Sequence, residues 1–144
     1  MKQFKGRVVV HGTATLEALV SHGGFNTLAS FKNCKDGKNI CTDQGNTDLY
    51  GKNTVGVALC LPQTIGSTTG GMVLFNSAVI GCNPGAMLFS KPIDSLAAAG
   101  TILADVWTSH SMPTIDNLGD EFLNTVKTGD IIEILPEGVV VIKD

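Results

Sequence analysis

The chain has 144 residues, 43% hydrophobic and only 16% charged, with a formal net charge of −3. That length favours one domain spanning 1–144, and the apolar share is enough for a real core. No basic patch or aromatic-basic interleaving occurs, which excludes nucleic-acid binding as the expected role, and a surface short of charge suggests one partly covered by a partner.

The opening residues Met1–Gly6 carry no apolar run of the signal-peptide type, so a cytoplasmic location is expected. Phe4–Val10 predicts a first strand. Thr13–Ser21 fits a helical stripe through Leu16, Leu19 and Val20, and it also tolerates a strand. His22–Thr27 is a glycine-rich loop, read either as a simple turn or as the rim of a site. Leu28–Phe31 predicts a short strand. Lys32–Lys52 is polar and long for an unstructured loop in a compact domain, which points to a functional segment.

Residues Asn53–Ser90 contain no Asp, Glu, Lys, Arg or His. Gly and Pro cut this stretch into short pieces, so no membrane span is expected. Val55–Leu61 is nearly continuous in apolar residues, as in a strand buried on both faces. The turn Gly66-Ser67-Thr68-Thr69-Gly70-Gly71 follows, then a helix over Ser67–Ile80 with Met72, Phe75 and Val79 on one stripe and Gly81 as its stop. Ala86–Phe89 predicts the next strand. Asp94 is placed to cap a short helix Ser95–Ala99 ended by Gly100, with Thr101–Val106 a further strand. Met112–Thr114 reads as extended and Asn117–Val126 as helical. Ile131–Leu135 and Val139–Ile142 predict a hairpin about Pro136-Glu137-Gly138. The expected fold is therefore α/β: a layered β/β/α domain whose mixed sheet has a parallel β-α-β middle and a C-terminal β-hairpin.

A strand that ends in a Gly/Ser/Thr turn and feeds a helix sets hydroxyls and free N–H groups at a helix N-terminus, where anions are held. Ser67 is the only serine of that turn and stands at the expected helix start, as a cap or as a projecting group. The turn is neither a P-loop nor a dinucleotide fingerprint, since it lacks the lysine ending and the Gly-x-Gly-x-x-Gly pattern. A serine base or nucleophile needs a partner that activates it, and none lies nearby in sequence, so the charge would come from another subunit or a metal. His11, His22 and His110 are isolated, and Asp105 and Trp107 read as packing residues. Asp116, Asp120 and Glu121 read as helix-start charges. Cys60 reads as a small buried residue. Cys34 and Cys41 share a polar loop and could approach each other, with free thiols the default. The four cysteines show no metal-ligand spacing, so no metal site is expected in this chain.

Gly56-Val57-Ala58-Leu59-Cys60-Leu61-Pro62, then Gly66-Ser67-Thr68-Thr69-Gly70, then Pro84–Phe89 and Ala97–Asp105, resemble the small, swivel-domain subunit of the aconitase X family. The similarity covers nearly the whole chain, including Phe4-Lys5-Gly6-Arg7 and the closing hairpin. It implies a swivelling β/β/α fold and a larger aconitase-like partner subunit that binds iron or an iron–sulfur cluster. It also implies that the swivel domain lends a serine as catalytic base, which is Ser67 here. Substrate is then expected at Gly66, Thr68 and Thr69 of the turn and at Phe25 and Asn26 of the preceding loop. The resemblance implies dehydration of a small hydroxy acid. Ser21–Leu28 and Ser90–Leu96 look more like the branch acting on cis-3-hydroxy-L-proline than the one acting on mevalonate 5-phosphate. The chain alone is then expected to be inactive. An alternative of another class is a stand-alone module whose turn holds a small anion without chemistry.

Overall fold

The computed structural model describes residues 2–31, 34–66 and 69–143. The chain opens with β1 (Lys2–Lys5), β2 (Arg7–Val10) and β3 (Ala14–Val20), then runs through β4 (Phe25–Asn26), the one-turn helix α1 (Thr27–Ser30) and the small hairpin β5 (Cys34–Lys35) and β6 (Lys38–Asn39). The centre is β7 (Ala58–Leu61), β8 (Thr64–Ile65), α2 (Gly70–Val79), β9 (Ala86–Phe89) and α3 (Ser95–Trp107). It closes with β10 (Thr114–Asp116), α4 (Asp120–Thr125), β11 (Ile131–Leu135) and β12 (Val139–Ile142), the last two joined by a 3-10 turn at Pro136–Gly138.

Among the described residues, eight strands form one mixed sheet in the order β1-β12-β11-β3-β7-β9-β10-β2. Strands β3, β7, β9 and β10 run parallel, and the remaining pairs are antiparallel. The two outermost strands, β1 and β2, are separated in sequence by Gly6 alone, so the sheet curls until its ends meet there. The Gly6 N–H donates to the Gly138 carbonyl at 3.0 Å. A side chain at Gly6 would overlap the Asp116 carbonyl, which is why this junction needs glycine.

Alternate residues of the central strands feed two cores. Ala18, Val20, Ala58, Cys60, Ala86 and Leu88 face the inside of the curl, where Phe122 of α4 packs edge-on against Phe4 with ring centroids 5.4 Å apart. Leu19, Leu59, Leu61, Met87 and Phe89 face the other way, onto Leu74 and Ala78 of α2 and Ala97 and Ala104 of α3. Both faces of β7 and β9 are thus buried, the cause of their unbroken apolar runs. Each fully buried large side chain contributes roughly 1.5–3 kcal/mol of burial free energy, so this helix-side layer is a stiff support for the loops at its end.

Several expectations need correction. Phe4–Val10 is two strands, broken at Gly6 to serve both ends of the sheet. The ambiguous Thr13–Ser21 stretch holds strand β3. Leu28–Phe31 is not a strand; Asn26 caps helix α1 there by accepting from the Ala29 N–H at 3.1 Å. The short helix, glycine stop and strand expected over Ser95–Val106 are one thirteen-residue helix, α3. Its Gly100 is no stop. It is the crossing point with α2, where a methyl group would overlap the Gly71 carbonyl. Helix α2 begins at Gly70 with Thr69 at the N-cap position, later than the Ser67 start expected, and Ser67 itself lies outside the described residues. Asp116 is a buried strand residue, not a helix-start charge. Arg7 grips it with Nε at 2.9 Å and Nη2 at 2.6 Å, and the Ile93 N–H donates to it at 2.8 Å. Asp105 and Trp107 lie on α3 rather than at a strand end. Cys34 is bonded to Cys82 rather than near Cys41, with Cα atoms 6.0 Å apart, while Cys41 and Cys60 are free and buried.

From Cys34 on, the polar segment before β7 is tied to its surroundings by hydrogen bonds and forms a lobe. Asn39 donates from Nδ2 to the Ser30 carbonyl at 2.9 Å and to Thr54 Oγ1 at 2.8 Å. Asn46 donates to Ser21 Oγ, and Asp48 accepts from the His22 N–H at 2.7 Å. These bonds anchor the lobe to the end of β3 and to α1. The disulfide fixes its hairpin to the chain beyond α2.

Candidate active site

Open α/β sheets place their sites beyond the carboxyl ends of the parallel strands. Here those ends are Val20, Leu61, Phe89 and Asp116, and the first three are followed by the segments 21–24, 62–66 and 90–94. Helices α2 and α3 both begin at this edge. Between them lies a cleft of about 230 Å³ lined by Thr27, Thr64, Ile65, Gly66, Gly70, Gly71, Asp94, Leu96 and Ala97. The expected site turn therefore borders a real cavity on both of its described flanks, Gly66 and Gly70.

The local sequence explains the shape. Strand β8 is held by its parallel partner β4 in the register Phe25–Thr64 and Asn26–Ile65, and the Phe25 N–H donates to the Gln63 carbonyl at 2.9 Å. Gly66 has φ +101, and a Cβ there would sit 2.9 Å from the Asn26 carboxamide, so no other residue suits this corner. On the far side, a side chain at Gly71 would overlap the Leu96 carbonyl. Glycine at 71 and 100 thus lets α2 and α3 approach backbone to backbone, bringing their first turns to one cleft.

The predicted site residues have distinct placements. Gly66 lines the cleft, and Thr69 stands at the α2 N-cap position, exposed. Ser67 and Thr68 lie outside the described residues. Phe25 is fully buried and packs edge-on against Phe31, so its ring supports β4 from within the core. Asn26 touches the corner at Gly66 while its Oδ1 caps α1. His22 is exposed beside Asp48, with Nδ1 3.5 Å from the carboxylate.

Sequence reasoning missed Thr64 and Thr27 as lining residues and saw Asp94 only as a helix cap. The cap is real: Asp94 Oδ2 accepts from the Ala97 N–H at 2.9 Å. Its other oxygen accepts from the Thr64 hydroxyl, a partner thirty residues away that no local pattern signals. Asp94 is the charged side chain of the cleft among the described lining residues. The first turn of α2 carries no acidic side chain, so its positive dipole end is left to act on whatever enters.

The described residues contain no group of three His, Cys, Asp or Glu placed to hold a metal. Cys60 is no candidate ligand, since burial pushes its thiol up, far from any accessible thiolate. No helix among the described residues is long and apolar enough to cross a membrane.

Residues 3–142 match the family model described as the aconitase X swivel domain. The chain belongs to that family. The whole chain also superposes on a chain of equal extent in the crystal structure of Thermococcus kodakaraensis aconitase X in its holo-form, with a TM-score of 0.85, 26% identity and 100% of each chain covered. A solution structure of a UPF0107 protein matches with a TM-score of 0.80 and 26% identity, over 99% of this chain and 100% of that one. The phosphomevalonate dehydratase small subunit of Methanocella arvoryzae is 31% identical over 132 residues, 92% of each chain. That of Pyrococcus furiosus is 30% identical over 104 residues, 72% of this chain and 74% of its own. The aconitase X swivel fold thus agrees with the layered β/β/α architecture expected from the sequence.

Proposed function

We propose that this chain is the small subunit of an aconitase X-type hydro-lyase, with the cleft at the carboxyl edge of the sheet as its share of the active site. The carrying observation is that cleft: Gly66 and Gly70, which bound the sequence Gly66-Ser67-Thr68-Thr69-Gly70, both line it, and helix α2 begins there with no acid in its first turn. Ser67 is the proposed base. It follows Gly66 and precedes Gly70 by three residues, and both glycines line the cleft. The positive end of α2 favours an anionic oxygen at that edge, and a serine that removes a proton must pass through such a state. Gly66, Thr68 and Thr69 would meet substrate through backbone N–H groups and hydroxyls, with Phe25 and Asn26 holding the facing strand.

The remaining parts come from a large subunit. This chain's cysteines do not fit an iron or iron–sulfur group: two are bonded to each other and two are buried in the helix-side and inner cores. In the large subunit such a group would supply Lewis acidity to the departing hydroxyl. A site divided between two bodies can open for substrate and close around it.

Phosphomevalonate is the substrate this reading favours, because the curated relatives that align over most of both chains are small subunits of phosphomevalonate dehydratase. One observation favours cis-3-hydroxy-L-proline as a second reading. The charged group of the cleft among the described residues is the carboxylate of Asp94, which suits a ring ammonium and repels a phosphate. The test is co-expression with the large subunit and a dehydration assay on both compounds. Turnover of either by the assembled complex supports the hydro-lyase reading, and the ratio of kcat/KM values assigns the substrate. Binding of these compounds without turnover would favour the anion-binding module.

A further inference from the structure

The proposed base, Ser67, follows Gly66 in sequence, and the strand that leads to that glycine is weakly anchored by itself. Strand β8 has two residues and lies outside the main sheet, paired only with the equally short β4 among the described residues. A two-stranded pair of that length does not hold its place unaided. The downstream anchor is firm, because α2 lies backbone to backbone on α3 through Gly71 and Gly100. What joins the weak side to the firm side is Asp94. One carboxylate oxygen accepts from the Thr64 hydroxyl on β8, and the other accepts from the Ala97 N–H in the first turn of α3. Thr64 is two residues before Gly66, so this bond fixes the chain just before the turn. All three residues line the cleft.

We infer that Asp94 and Thr64 are positioning residues that hold β8 and Gly66, the residue directly before Ser67, in register with α3, and that turnover depends on this tether. The inference rests on the reading of Ser67 as base. Displacement of a reacting group by about 1 Å is enough to cost on the order of 10²-fold in rate.

Two variants cut the tether in different ways. Thr64→Val removes the hydroxyl and keeps the shape and the α3 cap. Asp94→Ser keeps a capping oxygen, since serine serves well at that position, but is too short to reach Thr64. In the assembled two-subunit enzyme, with whichever of the two substrates it turns over, each variant should lower kcat by about 10–100-fold, and Thr64→Val, which keeps the Asp94 charge, should change KM less than about threefold. The double variant should fall no further than the worse single one, because both remove the same bond. Thr64→Ser, which restores the hydroxyl, should return kcat to within about threefold of the unaltered enzyme. A Thr64→Val enzyme with unchanged kcat would overturn the inference. So would losses that multiply in the double variant, or a loss confined to KM, which would make these residues substrate contacts. Ser67→Ala is measured alongside. If it keeps full turnover, the serine reading fails and this inference with it. If Ser67→Ala is inactive and Thr64→Val is not impaired, only the tether is wrong.

Discussion

Gly100→Ala separates the three-dimensional account from helix propensity by the sign of its effect. In an ordinary helix interior, replacing glycine by alanine stabilises by about 0.8–1.0 kcal/mol. At position 100 the added methyl would overlap the Gly71 carbonyl and lie 3.0 Å from both the carbonyl carbon and the Cα of Gly71. These are backbone atoms, so no rotamer change relieves them and α2 must move as a body. Overpacking of a tight contact costs typically about 1–3 kcal/mol, and the upper end applies where nothing flexible can yield. Set against the propensity gain, the net is a loss of about 2 kcal/mol. For a chain of this size that corresponds to a fall in Tm of roughly 4–8 °C. The assay is thermal unfolding of the purified chain, followed by calorimetry or circular dichroism. A Tm equal to or above the unaltered chain would refute the backbone crossing and restore Gly100 to an ordinary helical position.

The other predictions concern the cysteines. Cys82→Ser should lower stability by about 4 kcal/mol on loop-closure grounds for a sequence separation of 48, and a reductant should bring the unaltered chain down to the same Tm. An unchanged Tm in both experiments would mean that no such bond forms. Native protein should resist thiol alkylation at Cys41 and Cys60 until it is unfolded, since both are buried and burial pushes the Cys60 thiol up. Raising the pH to 9 should not expose Cys60, because its folded-state ionisation lies far above that of a free thiol; mass spectrometry of alkylated native protein reads this directly. Rapid labelling of either thiol in folded protein would contradict the packing described.

Strands β7 and β9 are legible in sequence because burial on both faces leaves an unbroken apolar run, and the final hairpin because its turn carries proline and glycine between alternating strands. The position of the cleft is legible for a related reason: a glycine-rich turn between strand and helix marks the carboxyl edge of a parallel sheet. What local pattern hides is long-range geometry. Gly100 reads as a helix stop because its partner, Gly71, lies on another helix. The β-branched residues Thr101, Ile102 and Val106 then read as a strand, although Ala97, Thr101 and Ala104 bury one helical face. Asp116 reads as a helix-start charge because its counter-ion, Arg7, is 109 residues away. The Cys34–Cys82 bond and the Thr64–Asp94 tether span sequence separations of 48 and 30, and neither has a local signature.

The central claim is that Ser67 supplies the base for a hydro-lyase site completed by a large subunit. Its most direct test is the turnover of the assembled complex carrying Ser67→Ala, measured beside the melting curve of the same preparation. Loss of a general base typically costs about 10²–10⁴-fold, and since Thr69 rather than Ser67 stands at the α2 N-cap position, the substitution does not remove the cap residue of that helix. The account predicts a fall in kcat of at least about 10²-fold with assembly intact and Tm within a few degrees. Near-normal turnover, or a loss no larger than the fraction of protein unfolded, would contradict it.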